Sequence, residues 1–178
     1  MRKATLFLIV IFAGAAHGYS AERHSARDFA RFSGVWKMDP ARSESTHQDV
    51  ALGVSTLVIR SNASEITIET TRKPEGDDPP FHEVLTFPLD GSERSNTGDG
   101  GAAVTGKLRM DGAKLITETA RNVHNSTVTT TYVHTLSPNG RTMTIDKTLT
   151  VQHGYQGMSA NNSGHGKDVY VRVSKSPH

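Results

Sequence analysis

Apolar and polar residues alternate with a period of two along much of this chain, and this pattern constrains its fold more than any other feature. Leu57 and Ile59 alternate with polar residues before a polar turn, and Ile66 and Ile68 do so after it. Successive side chains of a β-strand point to opposite faces. The pattern therefore predicts a hairpin with one buried and one solvated face.

The same alternation returns in five further segments, at residues 83–89, 104–110, 128–136, 143–151 and 168–173. Asp111-Gly112 and Asn139-Gly140 stand in turns between such segments, and these dipeptides favour tight hairpins because they accept positive φ. We predict an all-β protein of about 8–10 strands, an antiparallel up-and-down meander that closes into a barrel, because closure removes exposed sheet edges. A two-sheet sandwich is the main alternative. The glycine- and asparagine-rich stretch 153–166 is predicted to be a loop.

The N-terminus has the features of a secretory signal. Arg2 and Lys3 precede an uncharged apolar run, and Ala16 and Gly18 are small residues at positions −3 and −1 of a cleavage site. We predict a signal peptide at residues 1–18, a mobile leader at 19–32 and a single domain at 33–174. The protein would then be exported, either periplasmic or secreted, with no integral membrane segment once the signal is removed.

Charge and cysteine content exclude several classes of function. The chain has 20 Lys and Arg against 18 Asp and Glu, and the predicted signal holds two of the basic residues and no acidic one. The remainder is balanced, so we expect no nucleic-acid partner. The absence of cysteine excludes a disulfide-linked partner, thiol catalysis and cysteine metal sites.

Three segments resemble those of a known group of proteins. The opening Phe-Ser-Gly-Val-Trp-Lys-Met-Asp-Pro at residues 32–40, the Ser-Pro-Asn-Gly turn at 137–140 and the final strand at 168–172 are similar to exported bacterial proteins of unknown function, and Gly34-x-Trp36 is similar to the first lipocalin motif. The resemblance implies a lipocalin-like, calycin-type barrel. It also implies that Arg172 packs across Trp36 and seals the barrel floor. Trp36 could instead stack on a ligand, but we favour the structural role.

Two polar residues lie on otherwise apolar faces. His134 shares its face with Val128 and Tyr132, and Lys147 shares its face with Ile145 on the adjacent strand. A buried polar group must be hydrogen-bonded or must line a wet cavity. Three outcomes are open for Lys147: a wet interior, a carboxylate that reaches it, or a break in strand register. We predict that Tyr132, His134 and Lys147 form a ligand-binding site.

No sequence motif indicates catalysis. His134, Lys147 and Glu118 are the only candidates for acid–base groups, and no nucleophile elbow is present. His153 and His165 could approach Asp168 through a folded loop, but we predict no metal and no cofactor. The favoured function is binding of a small apolar or amphipathic molecule in the lumen. A structural or protein-interaction module of the cell envelope is the alternative, and an enzyme ranks third.

Overall fold

The computed structural model describes residues 24–46, 53–73, 79–123, 126–153 and 161–175. It confirms the predicted fold class. The ten strands are β1 (Gly34–Met38), β2 (Val54–Ser61), β3 (Glu65–Lys73), β4 (Phe81–Pro88), β5 (Arg94–Thr97), β6 (Ala103–Asp111), β7 (Lys114–Val123), β8 (Ser126–Leu136), β9 (Thr142–His153) and β10 (Asn161–Ser174). They form one antiparallel sheet in the order β4-β3-β2-β1-β10-β9-β8-β7-β6-β5. This is an up-and-down meander that curls into a nearly closed, lipocalin-like barrel.

Two of the predicted turns adopt the conformations that their glycines permit. Asp111 pairs with Lys114 across the β6–β7 turn, where Gly112 has a φ of 55°. Gly140, in the β8–β9 turn, has a φ of 66°. These left-handed conformations favour glycine, which has no Cβ to clash with the backbone.

The last strand is longer than the alternation predicted. Residues 161–166, which we expected to lie in a loop, pair with β9 from Asn161 opposite Gln152 to Gly166 opposite Lys147. The prediction of a loop was wrong there because Gly164 and Gly166 have no side chains to show alternation, while the long β9 strand supplies their hydrogen-bonding partners.

The barrel closes between β4 and β5 through side chains. The backbone N–H of Thr86 donates to Asn96 Oδ1 (2.9 Å), and Asn96 Nδ2 donates to the carbonyl of Thr86 (3.2 Å). The side-chain amide of Asn96 thus makes the two hydrogen bonds to Thr86 that the backbone of a neighbouring strand would make in a β-ladder. Beside it, Arg94 Nη1 donates to Glu65 Oε2 at 2.7 Å. These contacts join the two ends of the sheet.

The floor of the barrel, defined as Phe29, Phe32, Trp36 and Arg172, is built partly from the N-terminal segment. A short helix, α1 (Ala26–Ala30), precedes β1, and Phe29 and Phe32 are buried in the core. Trp36 Nε1 donates to the carbonyl of Phe32 at 2.8 Å. These two phenylalanines gain apolar burial by folding back onto the barrel, and the domain bounds of 33–174 stay a prediction. Residues 19–23 of the expected leader and the predicted signal at 1–18 lie outside the described residues.

A segment between β1 and β2 covers part of β10. It contains two short 3₁₀ helices, Pro40–Arg42 and Glu44–Thr46. The Ser43 hydroxyl accepts from the N–H of Val169 (2.9 Å), and Glu44 Oε2 accepts from the N–H of Lys167 (3.0 Å). Side chains thereby satisfy backbone donors of β10 beyond the point where β1 ends.

Candidate functional site

A cavity of about 550 Å³ occupies the barrel lumen. Its lining differs between the two sides of the barrel. The side made by β1 to β4 contributes a group of buried apolar side chains, Met38, Leu57, Ile68, Leu85 and Phe87. The side made by β7 to β10 contributes hydroxyl, imidazole and charged side chains, among them Thr117, Thr119, Tyr132, His134, Lys147 and Asp168. The difference is one of degree, because the first side also carries Ser55, Thr70, Arg72 and Glu83 and the second also carries Val128, Ile145 and Leu149, so the cavity offers both apolar contact and hydrogen bonding.

The three residues predicted as a ligand site all line this cavity. Tyr132 on β8 pairs directly with Lys147 on β9, and His134 pairs with Ile145. The register between the two strands runs without a shift from Ser126 to Leu136. The strand parity deduced from the sequence thus places these side chains in one wall, and their role toward a ligand remains a prediction.

Lys147 meets a carboxylate, which is one of the three outcomes left open for it. Its Nζ donates to Asp168 Oδ2 at 2.6 Å and also contacts the hydroxyl of Ser45. Ser45 in turn donates to Asp168 from its backbone N–H (3.1 Å) and its hydroxyl (2.8 Å). Asp168 is almost fully buried, and these contacts supply the hydrogen bonds that a buried charge needs. We did not predict from the sequence that Ser45 would contact Lys147 and Asp168.

A second ion pair, between Arg121 and Glu83, was also missed by sequence reasoning. Nη1 and Nη2 of Arg121 each donate to one oxygen of Glu83, both at 2.9 Å. This bidentate contact raises the pKa of Arg121, and burial partly opposes the shift. The pair links β4 to β7 above the short β5 strand. The sequence did indicate an inward-facing carboxylate, because Glu83 alternates in the same row as the inward-facing Leu85 and Phe87.

His134 is a deeply buried titratable group of the cavity wall, with 3% of its surface exposed. Its Nε2 lies 3.2 Å from the hydroxyl of Thr117, and burial lowers its pKa to about 4. The ring is therefore neutral at pH 7, with one nitrogen as donor and the other as acceptor. Burial also raises the pKa of the nearby phenols of Tyr132 and Tyr170, so both hydroxyls stay protonated. All three side chains offer uncharged hydrogen-bonding groups.

Trp36 and Arg172 do not line the cavity. The guanidinium of Arg172 stacks on the Trp36 ring within the floor, 4.1 Å from its centroid. Arg172 Nε donates to the carbonyl of Gly140 (2.8 Å), and its two terminal nitrogens donate to the carbonyls of Ser33 and Arg31 (2.5 and 2.7 Å). This geometry gives both residues packing contacts at the closed end of the barrel.

The remaining candidates are not part of the buried wall, since one lies outside the barrel and the other is an exposed residue of the cavity lining. Glu118 accepts from Lys107 at 2.8 Å on the outer surface, so it cannot serve as an acid–base group in the lumen. His165 is exposed and contacts Thr148. Among the described residues, no group of three His, Asp or Glu side chains is arranged to hold a metal ion. Nor does any helix within the described ranges have the length and hydropathy needed to cross a membrane.

Comparison with known proteins supports the fold. No protein-family model matches the sequence, and no curated protein matches it. A secretory abundant heat soluble protein of Ramazzottius varieornatus is 13% identical with a TM-score of 0.53, over 80% of this chain and 96% of that one. Fatty-acid-binding protein 1 of Echinococcus granulosus is 12% identical with a TM-score of 0.49, over 80% and 98%. Lipid binding protein 8 of Caenorhabditis elegans is 14% identical with a TM-score of 0.48, over 80% and 95%. The first of these likenesses shows a shared barrel fold and carries no information on ligand.

Proposed function

We propose that this protein binds a small amphipathic molecule inside its barrel. The observation that carries the proposal is the lumen cavity of about 550 Å³. Ligand pockets are commonly about 300–1,000 Å³ and combine apolar walls with a few polar groups. A barrel that served only as a scaffold would gain stability by filling this space, because unfilled apolar volume costs packing energy.

The mixed apolar and polar lining supports an amphipathic ligand in particular. The apolar side chains of β1 to β4 favour a hydrocarbon or aromatic portion, since burial of apolar surface contributes about 25 cal/mol per Å². On the opposite side, Tyr132, His134 and Lys147 are placed to hydrogen-bond a polar portion. A purely apolar ligand would leave Nδ1 of His134, which has no partner among the described residues, unsatisfied, and this carries a penalty.

The open lumen and the pairing of its charged groups favour ligand binding over an envelope interaction module or an enzyme. An envelope interaction module is expected to have a collapsed lumen and a contiguous exposed apolar patch. A catalytic function needs a convergent set of groups free to transfer protons. Here Lys147 is engaged by Asp168, Arg121 by Glu83, and Glu118 lies outside.

We further propose that binding takes place outside the cytoplasm. The support is the sequence of residues 1–18, with its basic start, apolar run and small residues before the cleavage position. Intact-mass measurement of the exported protein tests this. The expected species begins at Tyr19, and a mature species that retains Leu6 would contradict the proposal.

Lumen binding is tested by titration with N-phenyl-1-naphthylamine, a neutral apolar fluorophore that brightens when it leaves water. Gly164 lines the cavity, and a Cβ built there meets no atom within 4 Å. Gly164 is itself exposed at the edge of the cavity, so Gly164→Phe should place a ring at that edge and weaken probe binding by about tenfold or more, equivalent to about 1.4 kcal/mol.

The matched control is Ser163→Phe, which places the same ring on the exposed face of the same strand. Binding by the wild type and Ser163→Phe but not by Gly164→Phe supports the lumen as the site. Absence of probe binding to the wild type, or equal binding by all three proteins, would contradict the proposal.

A further inference from the structure

Two polar atoms in the cavity wall are buried and have no hydrogen-bond partner within the described part of the chain. They are Oγ1 of Thr119 and Nδ1 of His134. The two side chains are 1% and 3% exposed, and both line the lumen. A buried polar group without a partner costs about 1–3 kcal/mol, so two such groups in one wall need a reason.

The positions of the two groups place them in one polar patch. Thr119 and Thr117 project from alternate positions of β7, and the hydroxyl of Thr117 holds the other nitrogen of His134 at 3.2 Å. That contact occupies Nε2 and leaves Nδ1 available. The patch, defined as Thr117, Thr119 and His134, is buried, whereas Leu149 and His165, which also line the cavity, are exposed.

Two of the cations that line the lumen are already paired with carboxylates. Lys147 is paired with Asp168 and Arg121 with Glu83. Arg72 also lines the cavity from β3, its guanidinium stacks 4.6 Å from the Phe81 ring centroid, and its charge acts on the phenols of Tyr132 and Tyr170. His134 is neutral because burial lowers its pKa to about 4. The patch thus supplies hydrogen bonds without a formal charge of its own.

We propose that the patch of Thr117, Thr119 and His134 binds an uncharged hydrogen-bonding group of the ligand, such as an amide, a hydroxyl or a carbonyl. This inference rests on the proposed function, because it assumes that a ligand occupies the lumen. A hydroxyl and a neutral imidazole can each donate or accept, which suits an amide that does both. An ionised carboxylate would lose its hydration here without gaining an opposite charge, and that is costly.

Displacement of N-phenyl-1-naphthylamine by two ligands with the same chain length, decanamide and decanoate, tests the inference at pH 8. We expect the wild type to bind decanamide at least about tenfold more tightly than decanoate. Thr119→Val keeps the shape of the side chain and removes the unpartnered hydroxyl. It should weaken decanamide binding by roughly two- to tenfold, the effect of one net hydrogen bond, after correction for the probe affinity of the variant.

Thr105→Val is the matched control, because Thr105 lies on the outer face of β6 between the inward-facing Val104 and Gly106. It should leave both affinities unchanged. Decanoate binding as tight as decanamide, or an unchanged decanamide affinity in Thr119→Val, would overturn this inference while lumen binding stands. A wild type that binds no probe would overturn the proposed function, and this inference with it.

Discussion

The guanidinium of Arg172 lies 4.1 Å from the ring centroid of Trp36. The same side chain donates to the carbonyls of Arg31 and Ser33 from the N-terminal segment and to that of Gly140 in the β8–β9 turn. Arg172 thus connects β1, the N-terminal segment and the β8–β9 turn in the floor of the barrel. Stacking over the indole adds cation–π attraction to these hydrogen bonds.

Trp36→Ala should destabilise the fold. The indole is fully buried and bonded to the Phe32 carbonyl, and truncation of a buried large aromatic costs about 3–5 kcal/mol. Urea denaturation measures the free energy of unfolding. A loss under about 1 kcal/mol combined with loss of probe binding would assign Trp36 to the ligand site instead.

Arg172→Lys should cost about 2 kcal/mol although it keeps the charge. Lysine cannot reproduce the planar stack on Trp36 or the set of divergent hydrogen bonds to three carbonyls. Arg141→Lys is the control, since Arg141 is an exposed neighbour in the same turn region, and it should shift stability by less than about 0.5 kcal/mol. Equal effects of the two substitutions in chemical denaturation would show that the stacking contributes nothing.

The pair of Arg121 and Glu83 should stabilise the region where β5 is short. Arg121→Met leaves the buried Glu83 carboxylate without its partner, and we expect a loss of about 3 kcal/mol. Addition of Glu83→Leu should restore most of that loss, because the pair then becomes apolar. Lys107→Met breaks the exposed pair with Glu118 and should cost under about 1 kcal/mol. If the double variant loses as much free energy of unfolding as Arg121→Met and Glu83→Leu lose together, coupling between Arg121 and Glu83 would be contradicted.

Stability should fall in mild acid because of His134. Its pKa is lowered from 6.5 to about 4 by burial, so between these values the unfolded chain takes up a proton that the folded protein does not. The free energy of unfolding is then unaffected by this group above about pH 6.5 and decreases by about 3 kcal/mol as the pH falls to about 4. His134→Gln removes this contribution.

Denaturation curves of the wild type and His134→Gln between pH 7 and pH 4 measure the difference. The variant should gain about 3 kcal/mol relative to the wild type over that range. Curves that stay parallel would show that the imidazole is not buried in a neutral state.

Strand parity could be deduced from the sequence, whereas contacts between distant strands could not. The inward positions of Tyr132, His134 and Lys147 follow from alternation and from the turn at Gly140, which fixes the pairing of β8 with β9. Asp168 and Ser45 meet across 123 positions of sequence, and no local pattern predicts which polar residue will reach the lumen from another strand.

Two strands lack the alternation of apolar and polar residues from which we predicted strands. Arg94–Thr97 in β5 contains no apolar residue, and the first part of β10 contains two glycines. Their neighbours determine these segments, because β6 and β9 present unpaired backbone groups that a further strand satisfies. Composition therefore favoured a loop at residues 153–166 and gave no strand signal for β5.

Native mass spectrometry of the purified protein tests lumen binding most directly. The account predicts a mass excess from a non-covalent ligand, or uptake of one equivalent of decanamide when it is added, in the wild type and in Ser163→Phe. Gly164→Phe should show lower occupancy, because its ring fills part of the cavity that Gly164 lines. If all three proteins remain at their bare mass in excess decanamide, or if all three take it up equally, the claim that the lumen is a ligand site is contradicted.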